Sequence, residues 1–182
     1  MKVVIDTSSL LSLVRYYLPF DKDLVLYNFF KSRVESGEIV ILDKVYEECK
    51  YTAKGIVIET IIYIENTKNR VKTEDILPTR RFFNQLENQF INGAIRNKLS
   101  DVEFENRKDD FLKSADAKIL LYSTQNKGLL DYKPIIVTEE TEVSNDNKSF
   151  KKLPAICKIL ELDVLTLPEL IIRYEEINLI IS

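Results

Sequence analysis

The sequence contains no histidine and no tryptophan, and only two cysteines and four glycines among its 182 residues. Without histidine, the chain cannot build a Ser-His-Asp or Cys-His catalytic site or a histidine-ligated zinc site. Cys49 and Cys157 each stand far from any second cysteine, which excludes CxxC redox motifs and cysteine-ligated zinc. Acid–base or metal chemistry in this chain must therefore use carboxylates.

Glycine is too sparse for a phosphate-binding loop. The four glycines are so widely spaced that neither GxGxxG nor a Walker motif can be written anywhere in the chain. Long apolar segments are also missing, and Asp6 interrupts the apolar start of the chain before a signal-peptide core is reached. These absences predict a cytoplasmic protein with no membrane partner.

The chain carries 30% charged and 45% hydrophobic residues, with a formal net charge of −3. Its length suits a single domain with one large core, and no repeat or low-complexity linker divides residues 1–182. The slightly acidic balance argues against wholesale electrostatic binding of nucleic acid, although lysine and arginine can still cluster on one face.

Short apolar segments alternate with segments of helical period. Strands are predicted at residues 2–6, 39–42, 134–138 and 163–166. A polar turn at Asp6-Thr-Ser-Ser is predicted to precede the first helix, and Asp43 to cap another. Further helices are predicted at 23–36, over much of 55–106 with a polar stretch near 97–106, at 108–125 and 153–162, and after Thr166. This alternation is typical of an α/β protein with a short parallel sheet covered by helices on both faces.

Acids placed just after strands are the first candidates for a functional site, because open α/β sheets bind ligands beyond the carboxyl ends of their strands. Asp6 closes the first strand, and the pair Glu139-Glu140 follows the third. Glu47 and Glu48 lie on the helix after the second strand. Asp116 lies in a helix between two alanines, a position that favours an inward-facing carboxylate.

Each acid also has a purely structural interpretation. Asp6 can serve as a helix N-cap, and Glu47 and Glu48 can belong to a solvated helix face. Asp116 can pair with Lys113 or Lys118, and Glu139-Glu140 can belong to an acidic loop. Only the joint pattern distinguishes these acids from ordinary surface charges.

The joint pattern resembles the PIN-domain ribonucleases over nearly the whole chain. Residues 4–10 (Val-Ile-Asp-Thr-Ser-Ser-Leu) resemble the family's opening strand and first acid, and residues 45–49 resemble its acid-bearing helix. Residues 115–122 resemble the helix of the third acid, and residues 137–140 the turn of the fourth. The segment 152–169 further resembles a poorly characterised PIN-like subfamily that ends with a helix, a strand and a helix.

This resemblance implies a three-layer α/β/α PIN-like fold and a metal-dependent endoribonuclease that hydrolyses RNA phosphodiester bonds. Asp6, Glu48, Asp116 and Glu140 would be the catalytic and metal-ligating residues, holding Mg²⁺ or Mn²⁺. The family pattern favours Glu48 over Glu47. Many PIN proteins carry aspartate at the fourth position, where this chain has the longer glutamate Glu140.

The resemblance also implies partners. The chain is expected to act on RNA, and it is a candidate toxin of a toxin–antitoxin pair with an antitoxin protein as partner. A homodimer is expected through apolar residues of the first helices such as Tyr16, Tyr17 and Phe20. The alternative function is a catalytically inactive PIN-like module that binds RNA or protein.

Basic residues with aromatic neighbours occur in the middle of the chain, and they offer one possible means of holding RNA. Their alternative role is structural, with the phenylalanines in the core and the charges in solvent. We favour the structural role and assign no RNA contact to them. The residues concerned are Arg70, Lys72, Arg80, Arg81, Phe82, Phe83, Arg96 and Lys98.

Overall fold

The structure is a computed structural model that describes residues 1–125, 134–142 and 148–174. Four parallel strands form one sheet in the order β2-β1-β3-β4. The strands are β1 (Val3–Ile5), β2 (Ile39–Val40), β3 (Ile135–Val137) and β4 (Val164–Leu165). All four lie where strands were predicted, although each is shorter than its apolar segment.

Ten α-helices surround the sheet in the described residues. They are α1 (Thr7–Ser12), α2 (Val25–Glu35), α3 (Asp43–Tyr51), α4 (Ile56–Thr60), α5 (Arg80–Gln85), α6 (Gly93–Arg96), α7 (Asp101–Lys113), α8 (Ala115–Gln125), α9 (Leu153–Leu160) and α10 (Leu167–Arg173). Shorter turns extend them: π-helical at Leu13–Tyr17 and Leu86–Phe90, and 3₁₀ at Leu18–Phe20, Thr52–Gly55, Ile62–Glu65 and Thr67–Asn69.

Burial of the strands shows that both faces of the sheet are covered. Val3, Val4 and Ile5 point alternately to opposite faces, and all three are fully buried. The residues of β3 are buried in the same way. The prediction of an α/β fold with a short parallel sheet between layers of helices is confirmed.

The two central strands meet at the point where the direction of winding reverses. From β1 the chain passes to β2 on one side, and it then crosses to β3 on the other side of β1. Ile5 lies opposite Val137 in the register, so Asp6 and Thr138 leave the sheet side by side. Crevices at such switch points are where open α/β sheets bind ligands.

The polar turn predicted after Asp6 is wrong, because α1 begins at Thr7 directly after the strand. Asp6 has extended backbone angles, and its carboxylate accepts a hydrogen bond from the Thr7 amide at 2.7 Å. Because the side chain of the last residue before the helix already caps it, no turn separates the strand from the helix. Asp43, predicted as a cap, is the first residue of α3, and its carboxylate accepts hydrogen bonds from the Thr73 amide and hydroxyl.

The single helix predicted at 108–125 is two helices, and the polar stretch predicted at 97–106 is partly helical. Ser100 and Glu103 form a capping box that begins α7 at Asp101, although the following residues are mostly polar. Ser114 separates α7 from α8: its hydroxyl donates to the Phe111 carbonyl and accepts from the Ala117 amide. Local capping therefore decides both boundaries.

Two further features bear on the expected partners. Within residues 1–125, 134–142 and 148–174, no helix is long and apolar enough to cross a membrane. Tyr16 and Phe20 are 65% and 68% exposed, whereas Tyr17 packs partly against the core. Self-association through this surface stays a prediction.

The end of α2 offers a test of backbone strain. Gly37 has a φ of +73°, and a Cβ built there meets nothing within 4 Å, so only the left-handed backbone would penalise a side chain. We expect Gly37→Ala to lower the free energy of unfolding by about 1–2 kcal/mol, measured by urea denaturation. Gly93→Ala is the matched control, since Gly93 lies at the start of α6 without a positive φ and has equal space. A cost at Gly93 equal to that at Gly37 would contradict this explanation.

Candidate active site

Asp6 is the most firmly held acid at the carboxyl edge of the sheet. Its residue is only 5% exposed, and burying a carboxylate is costly unless donors surround it. The Thr7 amide donates to Oδ1 at 2.7 Å. The hydroxyls of Ser8 and Thr138 donate to Oδ2 at 2.6 and 2.9 Å. Asp6 therefore acts as the helix cap and also presents a fixed, charged group at the sheet edge.

The same hydroxyls connect the ends of β1 and β3. Ser8 Oγ lies 3.1 Å from Thr138 Oγ1 and accepts a hydrogen bond from the Glu139 amide at 3.0 Å. Thr138 Oγ1 in turn accepts from the Glu140 amide at 3.2 Å. The segment after β3 is thus fixed against the first turn of α1, and this fixes the direction in which Glu140 leaves the sheet.

Glu48 on α3 faces this edge, whereas Glu47 does not. Thr7 Oγ1 donates to Glu48 Oε2 at 2.9 Å, while Glu47 forms an exposed ion pair with Lys44 at 2.6 Å. Partial burial raises the pKa of the Glu48 carboxyl, although the residue as a whole is exposed. The charges of Asp6 and Glu140 add to the rise, and the hydrogen bond from Thr7 opposes it. Glu48 therefore lies within the field of two other acids of the set.

Asp116 lies half-buried in the first turn of α8. Its suggested ion-pair partner Lys118 instead donates to the carbonyls of Thr73 and Ile76, both at 3.0 Å. Burial raises the pKa of Asp116 to about 7, and the charges of Asp6, Glu140 and Glu48 add to the rise. Asp116 thus lies in the field of the three other acids predicted from the sequence.

The two glutamates after β3 have different surroundings. Glu139 Oε1 accepts a hydrogen bond from the Leu167 amide at 2.6 Å, at the start of α10. Glu140 Oε2 accepts one from the Leu153 amide at 3.3 Å, at the start of α9. Glu139 therefore holds the start of α10, while Glu140 contributes to the field at Asp116 and Glu48.

A cleft of about 350 Å³ opens beside Asp116 and Glu140. Its walls are mainly basic and aromatic, with one further acid. The other lining residues are Arg107, Asp110, Phe111, Lys148, Ser149, Phe150, Lys151 and Lys152. The positive charge of Lys148 partly offsets the rise in the pKa of Asp116 that burial and the other acids cause.

Sequence reasoning missed these basic residues and considered others. Arg70 stacks on the Tyr46 ring at 3.8 Å, and Arg96 pairs with Asp101 at 2.8 Å. Phe82 is buried in the core, as the structural interpretation predicted. The Lys151-Lys152 pair was a visible signal in the sequence, but only tertiary packing places it beside an acid 35 residues earlier in the chain, Asp116.

The two cysteines lie close to the same acids without joining their chemistry. Both are buried, and burial raises each thiol pKa to about 12, with neighbouring negative charges adding to the rise. The charges include Glu48 for Cys49 and Asp116 for Cys157. Both thiols therefore stay protonated at neutral pH and cannot act as nucleophiles or thiolate ligands.

Carboxylate oxygens are suitable ligands for a hard divalent cation, but the described acids do not form a complete set of metal ligands. In the part of the chain that the structure describes, no three acidic or cysteine side chains converge closely enough to hold a metal ion. Mg²⁺ usually takes only one or two protein carboxylates and completes its shell with water and substrate phosphates. Oxygen donors with mutual repulsion at one sheet edge suit that mode of binding.

The family assignment agrees with the extent of this fold. A family model described as "Domain of unknown function (DUF4411)" matches residues 3–178. The chain belongs to the DUF4411 family. No curated protein and no solved structure matches the chain. The DUF4411 range contains all four acids and every residue that lines the cleft.

The raised pKa of Asp116 makes a prediction about stability in this DUF4411 protein without metal. Because the folded-state pKa of about 7 exceeds the ordinary value of 3.8, the native state binds this proton more tightly than the unfolded chain does. The contribution of Asp116 to the free energy of unfolding therefore falls as pH rises from 3.8 to about 7, by at most roughly 1.4 kcal/mol per pH unit.

We expect Asp116→Asn to raise the melting temperature at pH 8 by several degrees in EDTA, and to flatten its dependence on pH between 5 and 8. Glu47→Gln is the matched control, because Glu47 lies on the sheet-edge helix α3 but forms an exposed ion pair with Lys44. Thermal denaturation followed by circular dichroism measures both. A pH dependence identical in the wild type and Asp116→Asn would show that Asp116 is an ordinary solvated acid.

Proposed function

We propose that this protein is a metal-dependent endoribonuclease of the PIN type, with Asp6, Glu48, Asp116 and Glu140 as its site. The observation that carries the proposal is the convergence of these acids, from the end of β1, from α3, from α8 and from the segment after β3, on one edge of the sheet. Thr7 donates hydrogen bonds to both Asp6 and Glu48, through its amide and its hydroxyl. The Thr138 hydroxyl donates to Asp6 and accepts from the Glu140 amide, and Glu140 borders one cleft with Asp116. The raised pKa of Asp116 agrees with this arrangement, since burial and the charges of the other three acids raise it. A stable fold gains nothing from gathering like charges, so this arrangement suggests a cationic ligand.

Because the chain contains no histidine, we expect this group of carboxylates to work by binding a metal ion. Asp6, Glu48, Asp116 and Glu140 would hold Mg²⁺ or Mn²⁺, with water and phosphate oxygens as the remaining ligands. When bound, the ion supplies a water nucleophile active at neutral pH and stabilises the leaving oxygen of a phosphodiester. The carboxylates of this chain supply orientation and charge.

The structure suggests a different role for each acid. Asp6 is held by three donors among the described residues and would be the rigid central ligand of the ion. Glu48 accepts a hydrogen bond from Thr7 and is otherwise more exposed than Asp6, so its carboxylate could orient the attacking water and accept its proton. Asp116 and Glu140 border the cleft, where they would help to hold the ion and would face the substrate phosphate.

An inactive PIN-like module that binds RNA or protein is the second candidate. Two observations favour it: no complete ligand set is found among the described residues, and Glu140 already accepts a hydrogen bond from the Leu153 amide. In such a module Lys148 would serve as the permanent counter-ion of the acids, since its charge already opposes theirs at Asp116 and Glu48.

A cleavage assay separates the two candidates. We expect the wild type to cleave mixed RNA in the presence of Mn²⁺, and Asp6→Asn or Asp116→Asn to lower the rate by more than the roughly 10–100-fold typical of outer-shell partners of a metal. Glu48→Gln should also lose activity, whereas Glu47→Gln should cleave like the wild type because Glu47 is exposed and forms an ion pair with Lys44. Wild-type cleavage by Asp6→Asn would contradict the proposal.

Metal binding can be measured without knowing the RNA. Since the cation would bind only the folded protein, it stabilises by RT ln(1 + [L]/Kd), roughly 2.7 kcal/mol at a hundredfold excess over Kd. For a chain of this size we expect Mn²⁺ to raise the melting temperature by about 5–10 °C. The control is NaCl at matched ionic strength, and Asp6→Asn should remove most of the rise. Equal melting curves with and without millimolar Mn²⁺ and Mg²⁺ would favour the inactive module.

A further inference from the structure

The cleft beside Asp116 and Glu140 brings four basic side chains next to the proposed site, on a chain with a net charge of −3. Arg107, Lys148, Lys151 and Lys152 line it together with three acids, Asp110, Asp116 and Glu140. A polyanion would be repelled by the four acids of the proposed site unless cations guided it there. These basic side chains provide that counter-charge on the side of the site where the cleft opens.

The backbone that carries the lysines is fixed. The Lys151 amide donates to the Phe90 carbonyl, and the Asn92 amide donates to the Ser149 carbonyl, each at 2.8 Å. Arg107 on α7 donates to Ser149 Oγ at 2.9 Å, which joins that helix to the lysine-bearing segment. The guanidinium of Arg107 has further N–H groups that can reach a phosphate.

An aromatic surface lies in the same cleft. The rings of Phe111 and Phe150 lie 4.6 Å apart between centroids, at an interplanar angle of 32°. Phe150 is almost fully buried, whereas Phe111 is half-buried and borders the cleft. Phe150 therefore supports Phe111, and Phe111 offers part of its surface to a ligand.

We propose that this cleft binds one nucleotide next to the scissile bond, with Arg107 and Lys151 on its phosphate and Phe111 against its base. The inference rests on the proposed ribonuclease function and adds the residues that position the substrate. A base can reach Phe111 only when it is unpaired and unstacked from its neighbours, so the cleft selects single-stranded RNA. An acidic peptide could use the cations, but it would gain nothing from the aromatic surface.

Binding in the absence of metal tests this inference separately from catalysis. A fluorescently labelled short oligouridylate is titrated with the full-length protein in EDTA, and its anisotropy is followed at several salt concentrations. The variants are Arg107→Gln, Lys151→Gln and Phe111→Leu. The matched control is Arg81→Gln, because Arg81 is also exposed but borders a different pocket. Competitors are an RNA duplex and polyglutamate of equal total charge.

We expect Arg107→Gln and Lys151→Gln each to weaken binding and to reduce the slope of log K against log salt by about 0.7, the loss of one phosphate contact on a single strand. Phe111→Leu should weaken binding roughly fivefold or more with an unchanged slope, because it removes stacking and no charge. Arg81→Gln should bind like the wild type. Melting temperatures near that of the wild type establish that each variant is folded.

Three outcomes would overturn the inference: variants at Arg107 and Lys151 that keep the wild-type salt slope, duplex RNA that competes as well as single strands, or polyglutamate that competes as well as RNA. The proposed function fails differently. If the protein binds single strands through these residues but never cleaves them with Mn²⁺, the nucleotide cleft stands and the nuclease does not. If RNA is cleaved and Arg107→Gln changes neither KM nor binding, the nuclease stands without this cleft.

Discussion

The buried carboxylate of Asp6 is the constraint on which the edge of the sheet depends. An ionised group this deep requires donors, and the chain supplies the Thr7 amide and the hydroxyls of Ser8 and Thr138. The hydrogen bond between the Asp6 carboxylate and the Thr7 amide caps α1, so the helix begins directly after β1 without a connecting turn. The hydrogen bonds of the two hydroxyls also tie the end of β3 to the end of β1, and the direction of the following segment is set by the same contacts.

The acidic and the basic side chains around the cleft are held in place by different parts of the fold. Asp6 and Glu140 sit on short segments fixed by hydrogen bonds to the sheet edge, and Glu48 is aligned through Thr7. The basic side chains instead come from α7 and from the segment that pairs with residues 90–92, and they share the cleft with Asp116 and Glu140. Different contacts therefore hold the acidic and the basic side chains in place.

Sequence patterns predicted the sheet well because its strands are short, rich in β-branched residues and buried on both faces. Such short apolar segments are typical of the strands of a parallel sheet. The position after a buried strand singled out Asp6 and the pair Glu139-Glu140, and the flanking alanines singled out Asp116. The choice of Glu48 and of Glu140 came from the resemblance to PIN-domain ribonucleases. Helix boundaries failed at Ser100 and Ser114, where a serine hydroxyl outweighs the apolar period. The basic cleft could not be predicted, because α7 meets residues 148–152 only through tertiary packing that no local pattern encodes.

The two buried thiols have a practical consequence. Cys49 and Cys157 are the only cysteines of the chain, and burial and nearby carboxylates keep both protonated. Alkylating reagents attack the thiolate, so native protein resists them until the structure opens locally. Since one thiol lies near Glu48 and the other near Asp116, the rate of alkylation is a built-in probe of opening on the α3 and α9 sides of the acids, with no engineered label.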